Sequence, residues 1–93
     1  MGETYAFRLY VAGAAANSGR ARANLAAILA AWPAGSYTIE EVDVLREPHR
    51  ALADRILVTP TLLRLRPAPE LRVVGNLSER EIVVAALQLP ARP

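Results

Sequence analysis

The order of local signals along this 93-residue chain predicts an α/β fold, βαβαββα, with one mixed four-stranded sheet. Three observations carry that expectation. A segment of period two near the start is followed by a helical stripe and a second strand-like segment, the pattern of a parallel crossover unit. Two short apolar runs then flank Pro67-Ala68-Pro69, which marks a tightly turned antiparallel pair. The chain closes on a helix-start signal at Ser78 followed by apolar residues to Leu87.

In the first strand, residues 5–12, Tyr5, Phe7, Leu9 and Val11 share one face, and Ala6, Arg8, Tyr10 and Ala12 the other. Gly13 ends it. Asn17 or Ser18 is placed to cap a helix in which Leu25, Ile28, Leu29 and Trp32 recur at i, i+3, i+4, i+7, and Pro33-Ala34-Gly35 stops it. Ser36 to Leu45 reads as the second strand, with a slip in alternation between Ile39 and Val42 that predicts a bulge or an early end. Pro48 suits the first turn of a short helix running through Leu52 and Asp54.

Val58-Thr59-Pro60-Thr61 leads into a third strand, Leu62 to Arg66, and Leu71 to Val74 returns as the fourth before Gly75-Asn76. Ser78 and Glu81 have the spacing of a capping box, with Leu77 and Ile82 as a hydrophobic staple and Glu79 in the first turn. Ile82, Val83, Ala86 and Leu87 form the expected buried stripe, and Pro90 ends it. With no repeat and no long linker, residues 1–93 read as a single domain. This element order fits a thioredoxin-like arrangement.

Composition narrows function. Hydrophobic residues are 53% and charged residues 22%, the balance of a folded soluble chain. Cysteine is absent, which excludes thiol redox chemistry and thiolate metal sites. A thioredoxin-like enzyme would place its nucleophilic cysteine where this chain reads Gly13-Ala-Ala-Ala-Asn-Ser18. Ser18 has the chemistry to stabilise a bound thiolate, although helix capping is its simpler role. Gly13 to Arg20 has the wrong spacing for a phosphate loop, and His49 is the sole histidine, so no multi-histidine metal site and no cofactor are expected.

The net charge of +2 is too small to announce a nucleic-acid partner, and no stretch is apolar enough to span a membrane, so a cytoplasmic protein is expected. All eleven basic residues are arginine. Arg20 and Arg22 lie on the polar side of the first helix. Arg64, Arg66 and Arg72 cluster on the hairpin, with Arg64 and Arg66 on one strand face. These groups fit either a solvated face or an acidic protein partner.

Taken together, Leu9-Tyr-Val-Ala-Gly13, Asn17-Ser18 with Arg20-Ala21, Val42-Asp-Val-Leu45, Thr59-Pro-Thr-Leu62 and Gly75-Asn-Leu-Ser-Glu-Arg-Glu81 resemble the KaiB family of circadian clock proteins. The resemblance runs from about Thr4 to Leu89. It implies a non-enzymatic module that docks on a KaiC-type ATPase ring, where a histidine kinase competes for the same site, and that modulates circadian timing or stress signalling. It also implies two accessible folds: a thioredoxin-like monomer and a ground-state tetramer in which much of the last helix becomes strand. The chain is therefore expected as a monomer or a homo-oligomer.

Residue by residue, the resemblance assigns partner binding to Arg55, where clock members carry a KaiC-contacting lysine, and to Arg20 and Arg72. It implies a cis bond before Pro60. Ala86 and Gln88 stand where clock members carry Gly and Asp; both changes favour helix by propensity and mark these positions as fold-switch determinants toward the thioredoxin-like state. Thr38 and Glu40 replace an Ala and a Lys on the second strand, which places a KaiA-type partner in doubt. Two alternatives stand beside this reading. One is a small thioredoxin-like or glutathione-handling enzyme resting on Ser18 and Tyr10. The other is a stand-alone relative of the sensor domain of clock histidine kinases.

Overall fold

In the computed structural model, which describes residues 4–91, strand β1 (Tyr5–Val11) runs through the middle of the sheet. It pairs in parallel with β2 (Tyr37–Asp43) and antiparallel with β3 (Thr61–Arg66), and β3 pairs antiparallel with β4 (Leu71–Val74). The sheet order is β2-β1-β3-β4. Three helices complete the chain: α1 (Ala16–Ile28), α2 (Pro48–Ala53) and α3 (Arg80–Ala86). Residues 82–86 are therefore helix, and the arrangement is the thioredoxin-like one. The Thr59–Pro60 bond is cis, as are Arg66–Pro67 and Ala68–Pro69.

The alternation of β1 sorts its side chains into two cores, because helices cover both faces of the sheet. Phe7, Leu9 and Val11 pack with Leu62, with Ala21, Leu25 and Ile28 of α1, with Val83 of α3 and with Leu87 just after it. On the other face Tyr10 packs with Val42, Leu63 and Ala51 of α2. The two-faced core explains the slip in β2. Its register against β1 is continuous from Tyr5↔Tyr37 to Val11↔Asp43, with no bulge. Ile39 and Val42 simply lie on opposite faces, each with apolar neighbours; the irregularity falls instead between Ala6 and Phe7, opposite β3.

Neither expected side-chain cap forms. The N-cap of α1 is Ala15, without a side-chain cap bond. Ser18 is buried one turn inside the helix, where its Oγ accepts a hydrogen bond from the Ala12 N–H at 3.1 Å, tying α1 to the end of β1. Asn17 accepts from Arg20 instead. The helix also stops at Ile28, ahead of Pro33, yet Leu29 and Trp32 remain buried because the following turns keep them over the sheet.

At α3 the N-cap is Glu79, and Ser78 stands outside the helix. Leu77 is buried with a φ of 63°, and Asn76 Oδ1 accepts the Ser78 N–H at 3.1 Å. This side-chain turn, not a capping box, sets the entry to α3. Ile82 is consequently exposed, so no staple to Leu77 forms, and Ala86 is exposed as well. Val83, Leu87 and Leu89 carry the burial.

Both α2 and α3 end in Schellman-type geometry with a non-glycine residue in the left-handed position. After α3, the Leu89 N–H reaches the Val84 carbonyl at 2.9 Å and the Gln88 N–H the Ala85 carbonyl at 3.3 Å, with Gln88 at φ 51°. Gln88 thus lies beyond the helix, and Ala86 is the last helical residue, so interior helix propensity does not govern either position. Asp tolerates the left-handed region better than Gln. Gln88→Gly is expected to raise stability by about 1 kcal/mol through relief of this strain, read as a higher thermal midpoint with unchanged helix content.

Candidate partner-binding surface

The end of the sheet where β1 and β2 finish and β3 starts gathers the β1–α1 turn, the β2–α2 turn and the segment after α2. Gly13 holds a φ of 52°, and a Cβ there would lie 3.4 Å from Leu45 Cδ1. Asp43 Oδ1 accepts the N–H groups of Gly13 at 3.1 Å and Leu45 at 2.9 Å, which binds the two turns together. Around them the surface is apolar: Leu45 is 73% exposed, Leu52 78%, Leu57 93% and Val58 52%. Val44, Ala51 and Ile56 line a shallow groove beside Leu57 and Val58.

Arg55 lies on the segment that joins Leu52 to Leu57. Asp54 ends α2, and Arg55 follows at φ 56°, with its N–H on the Leu52 carbonyl at 3.1 Å and the Ile56 N–H on the Ala51 carbonyl at 2.8 Å. It is exposed, as are Leu52 and Leu57 on either side of it in the chain. Arg72 joins it from β4: its Nη1 donates to the Arg55 carbonyl at 3.3 Å and its Nη2 to the Asp54 carbonyl at 2.9 Å. Arg20 is also exposed, at the start of α1 in the opposite layer, and donates to Asn17 Oδ1 at 2.9 Å. The structure therefore brings Arg55 and Arg72 together and leaves Arg20 apart from them.

The hairpin arginines do not form one cluster. Leu63 pairs with Arg72 and Arg64 with Leu71, so Arg72 faces the α2 layer and Arg64 the layer of α1 and α3. Arg64 is only 3% exposed. Its guanidinium donates to the Leu87 carbonyl and to the Pro69 carbonyl, each at 3.0 Å.

Beneath α2 lies an ionic network that the alternation of β1 did not reveal. Arg8 Nε reaches Glu40 Oε1 at 2.7 Å and Arg8 Nη1 reaches Asp54 Oδ2 at 3.0 Å, while Arg50 Nη1 reaches Glu40 Oε2 at 2.8 Å. The Tyr10 hydroxyl donates to Asp54 and lies 3.1 Å from the Arg50 carbonyl. Burial, reinforced by the Asp54 carboxylate, pushes the Tyr10 hydroxyl up to about 12. Hydrogen bonds from Arg50 and Arg8 draw Glu40 down from 4.5 to about 2. Burial would raise Asp54, but hydrogen bonds from Tyr10 and Arg8 outweigh it and hold the carboxyl below its ordinary 3.8.

Tyr10 and Ser18 are thus both engaged inside the fold, and neither presents a reactive group. Among the described residues, no group of three or more His, Cys, Asp or Glu side chains is placed to hold a metal ion. No helix there is long and apolar enough to cross a membrane.

Acid is expected to weaken the fold through this network. Glu40 binds its proton more weakly folded than unfolded, so its stabilisation is complete above about pH 4.5 and is lost as pH falls toward about 2, and the lowered Asp54 acts in the same direction. Urea midpoints measured from pH 6 to pH 2 should fall across that window. Glu40→Gln should flatten the profile, and an unchanged slope would remove Glu40 from the account.

The element order and sheet order define a thioredoxin-like α/β protein. Its fold matches the N-terminal domain of SasA from Synechococcus elongatus with a TM-score of 0.76 at 20% identity, covering 96% of this chain and 85% of that one. Mitochondrial thioredoxin 3 from Saccharomyces cerevisiae matches with a TM-score of 0.72 at 11% identity, over 92% of this chain and 78% of that one. A family profile described as the KaiB domain matches residues 8–89, and the chain belongs to the KaiB family. It is 46% identical over 87 residues to the circadian clock oscillator protein KaiB of Prochlorococcus marinus strain MIT 9313, covering 94% of this chain and 73% of that protein. The KaiB of Synechococcus sp. strain RCC307 is 45% identical over the same share of this chain and 79% of its own length. These relatives are named as circadian clock oscillator proteins.

Proposed function

We propose that the chain is a docking module that binds a KaiC-type ATPase ring through the end of α2 and so modulates circadian timing or stress signalling. The carrying observation is Arg55, an exposed cation in the left-handed region, on the same stretch of chain as the exposed Leu52, Leu57 and Val58. Such a surface suits an apolar partner segment rimmed by carboxylates, where burial supplies affinity and charge supplies orientation. Arg20 and Arg72 are the other two arginines assigned to docking. A histidine kinase that uses the same ring would be a competitor for it.

Glu40 supports leaving a KaiA-type partner out of this reading. Both of its carboxylate oxygens are engaged by Arg8 and Arg50, so β2 presents a neutralised acidic position instead of a free cation.

The test is retention of the purified chain on a KaiC homologue from the same genome, with ATP and with ADP. Wild type should bind in at least one nucleotide state, and Arg55→Glu should weaken binding tenfold or more, about 1.4 kcal/mol or above. Absence of wild-type binding in every nucleotide state would overturn the proposal.

A further inference from the structure

We infer that Arg72 serves docking as a positioning residue: its guanidinium fork fixes the backbone that presents Arg55, instead of reaching the partner itself. This rests on the docking role proposed for the end of α2. Arg72 sits on the edge strand β4, in register with Leu63, on the sheet face that α2 covers. Its donors reach the Asp54 carbonyl at 2.9 Å, the Arg55 carbonyl at 3.3 Å and Glu70 Oε2 at 3.3 Å. Two of these acceptors are backbone carbonyls at the end of α2, which have no partner within the helix.

The consequence is geometric. Helix α2 has six residues, too few to hold its own end by backbone bonds alone. Arg55 occupies a left-handed conformation that an arginine adopts only when its surroundings impose it. The Ile56 N–H closes the turn from one side, and the Arg72 fork closes it from the other. The same turn aims Leu57 and Val58 outward, so one clamp orders both the cation and the apolar part of the surface. Lysine keeps the charge but lacks the planar fork that spans two carbonyls.

That difference separates positioning from direct contact. Arg72→Lys and Arg72→Ala are compared with wild type by amide hydrogen exchange in the free protein and by affinity for the KaiC-type ring at two salt concentrations. Positioning predicts that both variants speed exchange at Arg55 and Ile56 tenfold or more while the amides of β1 and β3 keep their protection. It also predicts that both weaken docking by a similar factor and leave its salt dependence unchanged. Overturning results are native exchange at Ile56 in Arg72→Lys, or native docking by Arg72→Lys with weakened docking and a smaller salt dependence in Arg72→Ala. The exchange arm needs no partner. A wild-type chain that fails to bind the ring would count against the docking role alone, and the clamp would stand or fall on exchange.

Discussion

Replacing Trp32 with alanine should lower stability by about 3–5 kcal/mol, the range for deleting a buried indole and leaving a cavity. Trp32 is the single tryptophan, and its ring lies 5.1 Å from Tyr5 and 6.0 Å from Tyr37, edge-on to both, and 6.2 Å from Phe7. Tyr5 and Tyr37 face each other across the first pair of β1 and β2, so the indole clamps the parallel pair at its open end. A domain of this size has about 5–15 kcal/mol in total, and the variant should sit close to its unfolding midpoint at ambient temperature. Urea unfolding followed by circular dichroism measures it. A loss below about 1 kcal/mol would mean that Leu89 and Pro90, which share a groove with Trp32, collapse into the space.

The second large effect is expected at Arg64, where alanine should cost about 2 kcal/mol. The guanidinium is buried and satisfies the Leu87 and Pro69 carbonyls, one at the end of α3 and one in the hairpin turn. Losing a charged donor from the buried Leu87 carbonyl costs about 1–3 kcal/mol and from the more exposed Pro69 carbonyl less, and removing a buried cation without a carboxylate partner offsets part of that. The Nε atom is buried without a hydrogen-bond partner, which adds a desolvation cost to enclosing this group. Arg64→Met should lose less, because it fills the volume and removes the charge. Hydrogen exchange at Leu87 and Leu89 should accelerate in both variants; full protection there, with an unchanged midpoint, would show that Arg64 does not hold the end of α3.

Element identity was legible because each signal is local. The alternation of β1, the helical stripe at Leu25 and Ile28, the turn at Pro67-Ala68-Pro69 and Pro48 at the start of α2 each state a backbone preference that the fold keeps. Cap identity was less legible. Ser18 and Ser78 have the chemistry of caps, but the end of β1 captures Ser18, and the burial of Leu77 moves Ser78 out of α3. A hydroxyl bonds whichever donor or acceptor packing brings to it, and sequence spacing names only the nearest candidates.

The candidate surface divides in the same way. Arg55 and Arg72 are legible as cations, and the aliphatic run of Leu57 and Val58 as apolar residues without a period. Their meeting at the end of α2 depends on β4 returning beside β3 on the face that α2 covers. Arg64 and Arg66 share a strand face by sequence, yet Arg64 is enclosed and Arg66 is exposed, because only Arg64 lies within reach of α3. By itself the sequence determined which segments become strand or helix and which side chains carry charge, since backbone preference and ionisation belong to each residue. Tertiary structure alone decided which arginines face water, which carbonyls they meet and which leucines stay exposed, because those depend on neighbours distant in the chain.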